Sequence, residues 1–382
     1  MRTLFRKLRG LRFRYEPLII IAVHRDRIIH NLRQFQVANP GVAIAPVLKS
    51  NAYGHGLVQV AKILDDANRN GELPFLCVDS YVEALILRNE GVRTPLLILG
   101  YTPLPNILRS ALKNVSFTVT SLPELQRLSL VQRRPIVIHL KIDTGMHRQG
   151  VLLEELGEAL RIVGRSEHIT LEGVYSHLAD ADTPKSALTK AQIKRWNTAV
   201  REVREAVSVR FFHLANTAGS HYSREIDANM MRLGIGLYGI NTSLDRAMDL
   251  LPALEMKTRI TSVRDIKRGE YVGYNAAFKA KRAMPVATIP VGYAEGIDRR
   301  LSNRGVATVA GVLCPYVGRI NMNMTSIDVS RVPHSQIDAE VLVVSAEHGA
   351  PNSVEAMAKL CGTIPYEIFI RFPAQIRRVV CP

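Results

Sequence analysis

Several residue patterns that mark specialised architectures are missing from this chain. The four cysteines, Cys77, Cys314, Cys361 and Cys381, show neither paired spacing nor a Cys-x-x-Cys cluster, which argues against a disulfide framework or a zinc site and for a reducing cytoplasm. No apolar run approaches the roughly 18–20 residues that span a bilayer. The longest candidate, Leu18-Ile19-Ile20-Ile21-Ala22-Val23, reads as a core strand. Aromatic side chains make up 6% of the residues, which is few for the aromatic interleaving of a nucleic-acid groove. No Gly-x-Gly-x-x-Gly opens a helix and no P-loop occurs, so dinucleotide and nucleoside triphosphate sites find no support. Internal repeats and low-complexity segments are absent as well.

Acidic residues are the scarcer charge, 34 against 50 basic, which gives a net charge of +16 over 382 residues. A basic protein attracts phosphate backbones, but the excess is dispersed. Its one dense cluster is residues 1–14, with six basic and no acidic side chains. That segment reads as a solvated N-terminal extension. Alternating leucine and phenylalanine leave a peripheral contact with anionic lipid or nucleic acid open. The lack of serine and of a cleavage site argues against a targeting peptide.

The length suits one large domain and a smaller one. After the run at 18–23, short apolar segments recur at Val42–Leu48, Phe75–Val78, Pro95–Leu99, Ser116–Val119, Ile136–Ile142, Leu171–Tyr175, Val209–His213 and Leu233–Tyr238, which predicts eight strands. Between them Leu57–Ala67, Ser121–Val131, Leu152–Val163 and Ser186–Ala206 carry apolar residues at i, i+3, i+4 spacing and read as amphipathic helices. This alternation fits an open doubly wound sheet or a (β/α)₈ barrel. The barrel is preferred because Lys49, Asp143, His177, Asn216 and Arg232 fall at or near strand ends, where barrel enzymes build their sites. After residue 240 the texture changes to β-rich sequence with turn signals at Lys267-Arg268-Gly269-Glu270, Ser302-Asn303-Arg304-Gly305 and Ala310-Gly311. The expected organisation is a basic extension at 1–14, a (β/α)₈ barrel at 15–247 and a mainly β C-terminal domain at 248–382.

The most informative segment is Pro46-Val47-Leu48-Lys49-Ser50-Asn51-Ala52-Tyr53-Gly54-His55-Gly56. It sets a lysine where a buried strand gives way to a glycine-rich turn, a setting in which partial burial makes a neutral, nucleophilic amine more accessible. The string resembles the pyridoxal phosphate lysine motif of the alanine racemase family, and the resemblance continues in family order from about residue 17 to residue 380. It implies that Lys49 holds pyridoxal 5'-phosphate as an imine, that Tyr53 reaches its phosphate, and that the glycines allow a tight turn before the next helix.

Other segments extend the resemblance. Met230-Met231-Arg232-Leu233-Gly234-Ile235-Gly236 is similar to the segment whose arginine, here Arg232, bonds the pyridine nitrogen and whose amides, at Gly234 and Ile235, meet the phosphate. An arginine stays protonated, so the ring nitrogen would stay bare and the cofactor would be a weaker electron sink, which suits proton removal and return better than transamination. His213-Leu214-Ala215-Asn216-Thr217-Ala218-Gly219 resembles the phosphate-contacting loop, with Thr217 where serine is common. By the same resemblance His177 packs against the pyridine ring, and Lys141 matches a lysine often carbamylated, which orients Arg148 against the cofactor's phenolic oxygen.

Gly273-Tyr274-Asn275-Ala276-Ala277 resembles the segment that brings a tyrosine from the second subunit of a homodimer. Tyr274 would then face Lys49 across the substrate, one base on each side, as racemisation requires. Tyr293 falls at the family's substrate gate, and Tyr366 beside the phosphate and the entrance. Met322 lies in the segment that receives the substrate carboxylate. There the chain departs from the family, with Asn321 and Asn323 in place of the usual cysteine and aspartate.

Taken together, the resemblance implies a cytoplasmic homodimeric isomerase that interconverts L- and D-alanine without a metal and supplies D-alanine as a peptidoglycan precursor. A racemase of other or broader specificity, for example for serine, is the alternative. A barrel-type decarboxylase would set an acid at the ring nitrogen, where this chain has Arg232, and a non-catalytic single-barrel cofactor binder would lack the second domain.

Overall fold

A computed structural model describes residues 15–242 and 248–382. The basic extension 1–14 and residues 243–246 of the polar link lie outside the described residues. The chain divides into two compact units, one of His24–Ala253 and one that joins the residues up to Val23 with Leu254–Cys381. Among the described residues no helix is long and apolar enough to cross a membrane.

The first unit is a parallel sheet of eight strands. Ala43–Pro46 lies beside Met230–Leu233, followed by Phe211–His213, Ile169–Tyr175, Ile136–Lys141, Val115–Val119, Leu96–Ile98 and Leu76–Val78. A parallel bridge between Val47 and Cys77 joins the two ends, with the Leu48 amide donating to the Cys77 carbonyl at 2.7 Å, so the sheet closes into a barrel. The strands are short and almost wholly buried, as parallel strands covered on both faces must be.

Helices follow the strands for local reasons. Leu57–Ala67 buries Leu57, Val60, Ala61 and Leu64 on one face, and Ala187–Ala206 buries Gln192, Ile193, Trp196, Ala199, Val200 and Val203, the spacing of an amphipathic helix. Ser80, Ser121 and Ser186 each accept a backbone N–H three residues on and so start their helices.

One expected strand is displaced. The apolar run predicts strand throughout 233–238, yet the strand is Met230–Leu233 and Ile235–Tyr238 is a 3₁₀ turn. The run is apolar because it packs against the helix Arg25–Ala38: a Cβ at Gly236 would stand 2.6 Å from the Phe35 ring. The segment is buried as its composition indicates, but glycines at 234, 236 and 239 end the strand early.

The second unit is mainly β. Its larger sheet runs in the order Val312–Pro315, Val306–Val309, Glu340–Val344, Leu254–Arg259, Ile20–His24 and Arg377–Cys381. A second sheet holds Ser262–Ile266, Met284–Ile289 and Thr325–Asp328. The apolar run at 18–23 is thus a core strand, paired antiparallel with Leu254–Arg259 from Ile20↔Lys257 to Val23↔Leu254. The two compact units accordingly divide at residues 23/24 and 253/254. Ala310 and Gly311 both take positive φ and turn the hairpin between Val306–Val309 and Val312–Pro315.

Candidate functional site

Lys49 leaves the barrel wall two residues after the closing bridge at Val47 and is half-buried. The turn that follows is left-handed. Ser50, Asn51, Ala52 and Tyr53 have φ of 54°, 56°, 51° and 51°, each at a cost of roughly 1–2 kcal/mol for a residue with a Cβ. Neighbours hold the turn in place. His55 Nδ1 donates to the Tyr53 carbonyl at 2.9 Å and its ring lies 4.4 Å from that of Tyr238, while Asn51 Oδ1 accepts the Leu57 amide at the start of the next helix. The glycines at 54 and 56 carry φ of 80° and 105°.

Arg232 sits at the end of its strand, 4% exposed. Nη1 donates to His213 Nδ1 at 2.5 Å and to the His213 carbonyl, and Nη2 donates to the Ser176 carbonyl at 2.7 Å and lies 3.3 Å from His177 Nδ1. The guanidinium lies 4.9 Å from the Tyr175 ring centroid. Burial pushes its pKa down, and the groups that counter this are Tyr175 and Cys77 rather than a carboxylate.

Three further cations, Lys49, Lys141 and Arg148, gather near it. Lys141 is 6% exposed; burial first, then Arg148 and Arg232, bring its pKa down to about 8. His177 is pushed down to about 3 by burial and then by Arg232, Arg148, Lys141 and Lys49. Arg148 is exposed. Lys141 Nζ lies 3.4 Å from Gln149 Oε1, a neighbour that reading the sequence did not single out. Asp143 shapes the loop, its Oδ1 accepting the amides of Gly145, Met146 and His147.

Tyr53, Thr217 and Gly234 converge. A Cβ at Gly234 would lie 2.9 Å from Tyr53 Oη and 3.8 Å from Thr217 Oγ1, so only glycine fits between them. Thr217 Oγ1 accepts the Gly236 amide at 3.2 Å, and Asn216 Oδ1 accepts the Gly219 amide at 2.8 Å. Ile235 begins the 3₁₀ turn, where amides have no acceptor within the turn.

The remaining expected residues belong to the second unit. Tyr274 stands on the loop between Tyr271–Val272 and Phe278–Lys279 and is 65% exposed. Asn303 anchors that loop, donating to the Ala277 carbonyl at 2.9 Å while accepting the Gly318 amide. Tyr293 and Met322, both exposed, lie on interlocked segments: the amides of Tyr293 and Ala294 donate to the carbonyls of Asn321 and Met322. Tyr366 is half-buried in the first turn of Pro365–Ile370. Asn323 Nδ2 donates to Glu295 Oε1 at 2.8 Å, and Glu295 Oε2 accepts the Gly292 amide. An asparagine at 323 is therefore matched to Glu295, which an aspartate would repel.

A closed parallel barrel with its cationic groups gathered at the strand ends is the layout of a barrel enzyme. The alanine racemase N-terminal domain family matches residues 23–242 and the alanine racemase C-terminal domain family residues 253–380. An alanine racemase of Caldanaerobacter subterraneus subsp. tengcongensis is 34% identical over 367 residues, 94% of each chain. Among solved structures, alanine racemase of Clostridium difficile 630 superposes with a TM-score of 0.88 at 28% identity over 96% of this chain and 97% of that one. Alanine racemase of Bacillus anthracis with bound L-Ala-P gives 0.87 at 28% identity over 97% and 96%. The chain belongs to the alanine racemase family.

The Asn323–Glu295 contact is open to a direct check. Asn323→Asp should lower stability at low salt by up to about 1 kcal/mol, the scale of an exposed charge pair, and the loss should shrink as added salt screens the repulsion. A denaturant midpoint equal to wild type at both salt concentrations would remove the pairing.

Proposed function

We propose that this protein is a pyridoxal phosphate-dependent alanine racemase, interconverting L- and D-alanine with one proton-transfer group on each side of the substrate, as a cytoplasmic homodimer. The observation that carries the reading is the gathering of Lys49, Lys141, Arg148 and Arg232 about His177, with no carboxylate bonded to the buried Arg232. Such a site favours a ligand with several negative charges. Family membership supports the reaction, and the free cysteines at 77, 314, 361 and 381 are in keeping with a reducing compartment.

The residues present fit the cofactor. Tyr53 Oη, Thr217 Oγ1 and the amides of Gly234 and Ile235 suit a phosphate, with glycine required at 234 for access. The bonds of Arg232 leave from Nη1 and Nη2, so Nε is the donor available to a ring nitrogen. A guanidinium keeps its proton, so that nitrogen would remain a bare acceptor. His177, held neutral, and Asn216 would flank the ring. When bound, pyridoxal phosphate supplies a carbonyl carbon for the amines and an electron sink that acidifies the α-hydrogen.

The chain's own groups then have distinct roles. Lys49 anchors the cofactor and carries a proton on one side of the substrate. Tyr274 of the partner subunit carries it on the other, in line with its exposure on an anchored loop. Met322 would receive the substrate carboxylate, and Tyr293 and Tyr366 would narrow the approach. Lys141, at about 8, has a neutral amine available near neutral pH. Its Nζ forms a bond to the carbon of carbon dioxide and releases a proton, and the resulting carbamate anion would orient Arg148.

Three measurements examine this reading. Purified protein should racemise either enantiomer of alanine and show a visible absorption band, and borohydride should fix the cofactor on the Lys49 peptide; label on another lysine refutes the assignment. Isotope-labelled bicarbonate should label Lys141, more strongly above pH 8 than below it, following the depressed amine; an unlabelled Lys141 removes the carbamate. Mixing inactive Lys49→Ala and Tyr274→Phe chains should restore activity toward about a quarter of wild type at equal mixing, because mixed dimers own one intact site. Verified subunit exchange without recovered activity would sink the shared site.

A further inference from the structure

A row of polar side chains runs through the barrel interior from Arg232 to Glu172. Arg232 Nη1 lies 2.5 Å from His213 Nδ1, and His213 Nε2 lies 2.8 Å from His139 Nδ1. His139 Nε2 faces Glu172 Oε2 at 3.5 Å, and Ser116 Oγ donates to the same carboxylate oxygen at 2.7 Å. The contact at 3.5 Å is long for a hydrogen bond, but that buried nitrogen has no nearer partner. Both rings are fully buried. Phe75 meets His139 edge-on at 5.2 Å, and Tyr175 stacks on His213 at 4.9 Å.

The two ends dictate every proton between them. A guanidinium only donates and a carboxylate only accepts. His213 Nδ1 must therefore be bare, with its proton on Nε2 and directed at His139 Nδ1. That nitrogen must be bare in turn, which leaves the His139 proton on Nε2, toward Glu172. Adding a proton to either ring would set donor against donor. Burial above all pushes both rings toward the neutral form.

The backbone is adapted to this row. Ile138 pairs with Leu171 but His139 pairs with Gly173, so Glu172 is the extra residue of a bulge, a device that re-aims a side chain. A Cβ at Gly173 would lie 2.4 Å from the His139 ring. Glu172 lines a cavity of about 400 Å³ with Ser116, Val137, Phe75 and Pro95. Burial works to raise its carboxyl, but the contacts with His139 and Ser116 and the charge of Arg210 outweigh this and hold it below its usual range.

We infer that Glu172 is the counter-ion of Arg232, acting through two neutral imidazoles whose proton placement it and Arg232 fix together, so that the charge balance of the strand-end site is set in part from the barrel interior. Glu172, His139 and His213 are positioning residues. Hydrogen-bond chains of this kind polarise one another in a low dielectric, and Arg232 has no acid of its own. Proton placement along the row does not depend on which reaction the site runs, whereas any effect on a cofactor's absorption rests on the pyridoxal phosphate reading.

Nitrogen NMR of full-length protein labelled at histidine reads the tautomers directly, with His139→Gln and His213→Gln used for assignment. Both rings should be neutral with the proton on Nε2 from about pH 5 to 8, the range in which an ordinary histidine changes charge. Tyr175 and Cys77, pushed up to about 12 by burial, keep their charge state over that range. Lys141, at about 8 as a free amine, titrates wherever it is not carbamylated, but it is common to wild type and variant. A proton on Nδ1 of either ring, or a doubly protonated ring, overturns the proposal. In the cofactor-loaded protein, Glu172→Gln removes a negative charge and should move the pH midpoint of the visible band downward, by roughly threefold to tenfold in acidity constant. Glu172→Asp should recover part of the shift. A variant that loses stability or activity with its midpoint unmoved makes Glu172 merely structural. If Glu172→Gln does not fold, the tautomers of the unmutated chain still decide. Absence of the band from wild type would count against the cofactor reading and leave the tautomers as a separate result.

Discussion

A guanidinium buried without a carboxylate against it is the constraint around which the barrel unit is organised. Taking a charge out of water is costly unless it is well bonded, and Arg232 answers that cost with carbonyls and histidine nitrogens instead of an ion pair. Burial first, and the positive field of Arg232 after it, hold His177 and His213 neutral, and burial, Arg148 and Arg232 together bring Lys141 within reach of deprotonation. The surroundings remain short of negative charge at the strand ends, which is where an anionic ligand is of use.

Backbone strain supplies a second constraint. Four consecutive residues with a Cβ in the left-handed region, Ser50 to Tyr53, persist because the surroundings over-determine them. His55 ties down the carbonyls of the turn, Asn51 caps the following helix, and Tyr238 packs on His55 while its hydroxyl donates to the Val47 carbonyl. The effect is to fix the direction in which Lys49 leaves the wall. The other residues of the motif thus replace flexibility with a single presentation of the lysine.

Much of this is legible in the sequence, for identifiable reasons. Helix Leu57–Ala67 has the bounds its apolar spacing indicates, and Ser121 and Ser186 begin their helices as caps. Strand ends carrying Lys49, His177 and Arg232 are visible because polar residues interrupt buried runs. The segment after Leu233 misleads because burial under Phe35 and burial within a sheet leave the same apolar signature. The left-handed turn leaves no trace, since Ser-Asn-Ala-Tyr carries no glycine. His139 and Glu172 give no local signal, because a pairing shift of one residue and a bare Cα at Gly173 bring them together. The Asn323 departure is visible, but its matching partner Glu295 lies 28 positions away in the chain.

The barrel's closure carries one more implication. Six of the eight strand junctions are ladders of three or more residue pairs, while the junction of Phe211–His213 with Met230–Leu233 rests on the pair His213↔Met230 and the last on a lone bridge at Val47 and Cys77 with the Leu48 amide beside it. A cylinder opens first along its thin seams, because local opening follows the least-bonded backbone, and Leu48 belongs to one of them. The lysine is the next residue along the chain. Fluctuation of that seam and displacement of the lysine are therefore a single motion, and amide exchange at Leu48 is a clock for both.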